Sequence, residues 1–127
     1  MIKAFLLIGL GGALGSMARH GCNQLALKYL GDDFPWGVMG INILGSLLIG
    51  VMVGLLAFTT DWSQDIRAFV VVGILGGFTT FSAFSLDAVV LWERGAVGAM
   101  FLYVVGSVLL SLAATFGGLT LVRAFSA

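Results

Sequence analysis

The run Gly76-Gly77-Phe78-Thr79-Thr80-Phe81-Ser82-Ala83-Phe84-Ser85 lies at the centre of an apolar stretch from Ala68 to Trp92, bounded by Arg67 and by Glu93 and Arg94. Such a stretch can cross a bilayer, for which about 20 residues suffice. Adjacent glycines in its middle invite a break, because glycine costs up to about 1 kcal/mol relative to alanine inside a helix. A broken helix is tolerated at membrane depth where its freed backbone groups are buried or wet, and freed carbonyls there would suit a cation. Beyond the break, Phe81 and Phe84 lie three residues apart and project from nearly one face, with Thr80, Ser82 and Ser85 close by. Aromatic edges carry partial positive charge. Together with hydroxyl donors they would stabilise a small anion without a formal positive charge to trap it; the alternative is that the rings simply face lipid or core.

The rest of the chain reads in the same way. Of its 127 residues, 60% are hydrophobic and 9% charged, against about 25% charged in soluble domains. Three further segments lack charge over spanning lengths or nearly so. The first runs from Ala4 to Ala18 and continues past Arg19 and His20 to about Tyr29, the second from Phe34 to Thr60 with Pro35 at its start, and the fourth from Gly95 to Val122. Lys3 and the tripeptide Ser16-Met17-Ala18 imitate a signal peptide. Gly9, Gly11, Gly12 and Gly15 suit helix packing better, so this segment is expected to be kept. The expected architecture is all-α and integral to the membrane: a single domain over 1–127 with four transmembrane helices, the third broken near its middle.

Net charge is zero, with six Lys plus Arg and six Asp plus Glu, so there is no basic field to hold a nucleic acid. Cys22 is the one cysteine and His20 the one histidine, which leaves no Cys/His metal cluster. No nucleophile, base and orienter set and no phosphate loop are present, so catalysis is not expected. With four spans, Lys3, Arg67 and Arg123 fall on one side and Arg19, Lys28 and Arg94 on the other. Orientation follows the Lys/Arg imbalance of short loops, and three against three gives no instruction. Both orientations are expected, and two opposed copies would pair about an axis in the membrane plane, much as inverted repeats do.

Several polar groups fall at membrane depth. Asn42, Ser46, Gly50 and Gly54 recur every fourth residue along the second span, a small-residue ladder for close helix approach. The Asn42 amide needs partners, either another helix or a water-filled path. Tyr103, Ser107, Ser111 and Thr115 make a hydroxyl stripe on the fourth span, lining a conduit or else bonding their own helix carbonyls. Arg19 is expected to face a wet vestibule, where it would concentrate anions, or to snorkel to the interface.

These residues resemble the Fluc or CrcB family of small dual-topology fluoride channels. The resemblance spans essentially the whole chain and rests on Gly12-x-x-Gly15-x-x-x-Arg19, on Asn42 ahead of the glycine-rich second span, and on the run from Gly76 to Ser85. It implies an antiparallel homodimer with two pores in the bacterial inner membrane, passive conduction selective for fluoride, and relief of cytoplasmic fluoride. It further implies aromatic contacts to the ion from Phe81 and Phe84 and an amide hydrogen bond from Asn42. Thr80, Ser82, Ser85, Tyr103, Ser107 and Ser111 would form the polar path, and Arg19 would be the vestibule arginine. The carbonyls of Gly76 and Thr79 from both subunits would hold a structural Na+ on the dimer axis. The chain departs from the pattern at Ala83, where a hydroxyl is common, and at Val38, where a threonine often stands, which shortens the implied track. A small proton-coupled multidrug transporter is the competing reading, but it needs a central carboxylate, and the acid within the spans, Asp87, lies near an end. A purely structural membrane subunit would make Asn42 and the Phe pair replaceable.

Overall fold

A computed structural model describes residues 1–58 and 64–126, with only the backbone of Phe58 and Ser126 included. Four helical spans are long and apolar enough to cross a membrane. The first helix is Ile2–Leu30, the second Trp36–Phe58, the third span covers Gln64–Glu93 and the fourth helix is Val97–Ser126. The expected end of the second span at Thr60 and its charged marker Asp61 lie outside the described residues. The first and fourth helices, at about 1.5 Å per residue, exceed the ~30 Å hydrocarbon core and carry their ends into the interface.

Turn chemistry sets two of the connections. Gly31 (φ 78°) closes the first helix by donating its N–H to the Leu27 carbonyl at 3.1 Å, and Pro35 then accepts from Met39 N–H at 3.2 Å to start the second. Gly95 (φ 79°) turns the chain between the third and fourth spans, donating to Trp92 at 2.9 Å. These two turns meet at one end of the bundle, where Arg94 Nη1 donates to the Asp32 carbonyl at 3.4 Å. At the other end Lys3 pairs with Asp65 at 2.8 Å, an exposed contact worth under about 1 kcal/mol.

Two glycine seams hold the helices together. In the first, a Cβ on Gly11 would strike the Phe69 carbonyl, one on Gly15 would strike the Ile74 carbonyl, and one on Gly77 would come within 2.7 Å of the Gly12 oxygen. In the second, a Cβ on Gly50 would strike the Thr115 carbonyl, one on Gly54 would lie 2.9 Å from Val122 Cβ, and one on Gly118 would strike the Leu47 carbonyl. Helices in lipid gain no hydrophobic drive from meeting one another, so backbone contact of this kind supplies the dispersion energy. The ladder of the second span therefore packs on the hydroxyl-bearing fourth helix, and Thr115 Oγ1 donates to the Ser46 carbonyl at 3.0 Å.

The third span changes form along its length. An α-turn (Gln64–Arg67) leads into a π-helical stretch (Ala68–Leu75) and a further α-turn (Gly76–Phe78). Thr79 (φ −80°, ψ 156°) and Thr80 (φ −152°, ψ 119°) are extended, and the helix restarts as Phe81–Glu93. The break thus falls after the glycine pair rather than at it. Gly76 and Gly77 are helical, and the missing side chain of Gly77 serves the seam against Gly12. A π-helix is rare and tends to mark functional segments; here it ends one α-turn ahead of the break. Beyond the break Val38, Phe84, Leu91 and Tyr103 form the buried apolar cluster.

Candidate ion pathway at the break in the third span

Two extended residues inside a membrane helix leave several peptide groups without helical partners, each costing several kcal/mol in hydrocarbon unless satisfied. Side chains do the satisfying. Thr80 caps the second half-helix, its Oγ1 accepting from Ala83 N–H at 3.1 Å, as expected of an N-cap threonine. Thr79 gives both its N–H and its hydroxyl to the Leu75 carbonyl, at 3.1 and 3.0 Å, so its hydroxyl adds to a carbonyl that is already paired. Asn42, reaching across from the second helix, holds both polar groups of the Thr80 peptide: Oδ1 accepts from Thr80 N–H at 2.8 Å and Nδ2 donates to Thr80 C=O at 3.0 Å. The amide orientation is forced, since a peptide N–H can only donate and a carbonyl only accept. One Nδ2 hydrogen of Asn42 remains over. Its partner is thus the broken backbone, 38 residues away in sequence.

Around this clamp lies a cavity of about 230 Å3, lined by Asn42, Ser46, Thr79, Thr80, Phe81, Phe84, Ser107 and Val108. Asn42, Thr80, Phe81, Phe84 and Ser107, all singled out in the sequence, are brought together here. The Phe81 and Phe84 rings are tilted at 45° with centroids 5.4 Å apart. Their environments differ sharply, since Phe84 is 8% exposed and Phe81 77%. Ser107 is buried, and its Oγ has no hydrogen-bond partner among the described residues. An unpaired buried hydroxyl costs about 1–3 kcal/mol, and the space beside this one is the cavity it lines.

Other expected path residues lie elsewhere. Tyr103 is fully buried, stacks on Phe84 at 5.2 Å and donates to Asp87 Oδ2 at 3.3 Å, so its hydroxyl is directed towards the loop end of the bundle. Ser82 is exposed, with Oγ 3.4 Å from Thr80 Oγ1. Ser85 and Ser111 are half-buried and do not line the central cavity. Thr115 is committed to packing, its hydroxyl shared between the carbonyls of Ser46 (3.0 Å) and Ser111 (3.2 Å). Arg19 lines a separate cavity of about 250 Å3 with His20, Asn23 and Thr80. Gly76 is exposed and Thr79 half-buried. Ser46 and Thr79 were not assigned to the anion path from sequence; the four-residue spacing from Asn42 places Ser46 there, whereas nothing local marks Thr79.

A family model described as "CrcB-like protein, Camphor Resistance (CrcB)" matches residues 6–119. The chain belongs to the CrcB family. Among curated CrcB relatives, a "Fluoride-specific ion channel FluC" of Rhodopseudomonas palustris (strain BisB5) is 52% identical over 122 residues, 96% of this chain and 98% of that protein. A "Fluoride-specific ion channel FluC" of Rhizobium etli (strain CIAT 652) is 48% identical over 126 residues, 99% of this chain and 100% of that one. "Fluoride-specific ion channel FluC 2" of Nitrobacter hamburgensis is 47% identical over 119 residues. The family match spans the break, the Asn42 clamp and the first glycine seam.

Proposed function

We propose that this chain is a fluoride-selective channel of the bacterial inner membrane, which passes F− down its gradient and so lowers cytoplasmic fluoride. Its full-length relatives bear that name. The observation in the fold that carries the reading is the unpartnered Ser107 hydroxyl in a cavity shared with Asn42, Phe81 and Phe84. Neutral donors and ring edges suit a small, strongly hydrated anion, because they replace its water without holding it as a cation would. Ser82, Ser85, Tyr103 and Ser111 would extend the path to either side, and Arg19 would hold the anion-rich vestibule.

The working unit of this reading is an antiparallel homodimer with two pores, each subunit one four-helix domain. The three-against-three Lys/Arg count permits both insertions, and Phe81 is 77% exposed at the edge of the central cavity, where a second copy would cover it. A structural Na+ fits the donor set at the break. The Thr79 carbonyl accepts no hydrogen bond from any described residue, and carbonyl oxygens are among the ligands a hard cation takes. Gly76 and Thr79 carbonyls would hold it, and its charge would bind the two breaks together. A proton-coupled carrier gains no support: Asp87, the acid set farthest from a span end, is bonded by Tyr103 and lies outside the central cavity.

The test is purified protein in KF-loaded liposomes, with fluoride release followed by electrode after valinomycin is added, beside KCl-loaded and protein-free samples. Fast fluoride release with little chloride release is expected. Absence of fluoride release from protein shown to be folded and dimeric would overturn the reading.

A further inference from the structure

The central cavity does not open directly at the turns that join the spans. Two further cavities intervene. One, of about 250 Å3, opens between the turns at the Arg94 end of the bundle and is bounded by Asp32, Phe34, Trp36, Asp87, Arg94 and Asn23. The next, also about 250 Å3, is the Arg19 cavity, and no acidic side chain lines it. Asn23 and Val38 are walls common to these two, and Thr80 is a wall common to the Arg19 cavity and the central one. Asn23 is half-buried, its Oδ1 occupies the space a Cβ on Gly37 would need, and it makes no hydrogen bond to any described residue. An amide left unpaired at membrane depth is costly unless water or a ligand meets it.

We infer that Asn23 is a further residue of the ion path: its free amide receives an anion that enters beside Arg94 at the turn end and passes it to the Arg19 cavity and on to Thr80. This inference rests on the fluoride-channel reading. The charge layout suits it. Asp32 and Asp87 outnumber Arg94 in the outer cavity, so an anion that enters there is not held, whereas the next cavity has Arg19 and no acidic side chain and favours its onward movement. A second fixed cation at the position of Asn23, four residues and one helical turn from Arg19, would trap the ion. A neutral amide donor offers a hydrogen bond and nothing stronger.

The inference is tested with Asn23→Cys in a Cys22→Ser background, reconstituted in liposomes and treated with the sulfonate-bearing reagent 2-sulfonatoethyl methanethiosulfonate. The thiolate attacks the reagent's sulfenyl sulfur, a disulfide forms and methanesulfinate leaves. Labelling is read by mass spectrometry, independently of flux, with Leu25→Cys, an apolar position 58% exposed that lines none of the three cavities, as the unlabelled control. The expected result is labelling at position 23 and a loss of fluoride flux on labelling. Asn23→Leu should lower flux about fivefold, the equivalent of one hydrogen bond of ~1 kcal/mol. No labelling at position 23 would overturn the inference, as would labelling that leaves flux unchanged. Absence of flux in the untreated wild-type protein would instead overturn the channel reading, with the labelling result still reporting whether the path is wet and reached by an anion.

Discussion

The glycine seams and the broken third span are built on opposite principles. At the seams, backbone meets backbone, and the only requirement is the absence of a side chain at Gly11, Gly15, Gly50 and Gly77. At the break, backbone is left open, and specific polar side chains, Thr80 and Asn42, must complete it. A seam tolerates no gain of volume, whereas the break tolerates no loss of donors and acceptors. Stability and conduction should therefore respond to different substitutions, and the places where they respond together are the most instructive.

The largest effect is expected where both principles meet. Gly15→Leu forces a side chain into the Ile74 carbonyl and the Phe78 N–H, 2.8 Å from the built Cβ, one residue before the extended segment. Overpacking costs about 1–3 kcal/mol where neighbours can yield, and a backbone carbonyl within a helix yields little. Little folded protein should be recovered on size-exclusion chromatography, and a monodisperse variant with normal flux would show that the seam is looser than described.

Asn42→Leu comes next. It removes two hydrogen bonds from the Thr80 peptide and leaves a buried N–H and C=O unpaired, about 1–3 kcal/mol for each. Both the thermal midpoint and the flux should fall. Asn42→Asp keeps an acceptor for Thr80 N–H but turns a carboxylate oxygen towards Thr80 C=O, so it should also lower both, while adding a charge that repels the anion. A variant with normal stability and lost flux would mean that the amide serves the ion alone. Phe81→Ile separates the two properties in the other direction. Phe81 is 77% exposed in the subunit, so subunit packing should scarcely change while fluoride flux falls by an order of magnitude or more, if the ring edge meets the ion; unchanged flux would remove Phe81 from the path.

How much of this was legible in the sequence depends on the range of the interaction. The spans were legible because a lipid-facing helix is apolar all round, and the ends that fall among the described residues differ from the expected ones by a few residues. The break was placed in the correct stretch but at the wrong residues. Glycine pairs signal either a break or a close approach, and Gly77 is used for the approach while Thr79 and Thr80 take the extended geometry. The Asn42 partner was not legible, since it lies across 38 residues and is backbone, which has no sequence signature. Nor was the pairing of Tyr103 with Asp87, although the two lie on consecutive helical segments.

The hydroxyl stripe of the fourth helix gives the smallest and sharpest test, because one periodic pattern conceals two different uses. Thr115 donates to the Ser46 and Ser111 carbonyls and sits where Gly50 meets the fourth helix, whereas Ser107, two turns earlier, is buried with no partner among the described residues. Thr115→Val keeps the shape and removes the hydrogen bond, so it should lower stability by about 1 kcal/mol and leave flux unchanged. Ser107→Ala removes an unpaired polar atom, so the thermal midpoint should hold or rise while flux falls. If both variants lose stability and keep flux, the stripe is packing throughout and the cavity needs another donor. If both lose flux alone, the Ser46 contact of Thr115 is incidental and the conduit runs the length of the helix. Opposite responses from two hydroxyls eight residues apart would show that the path leaves this helix between them.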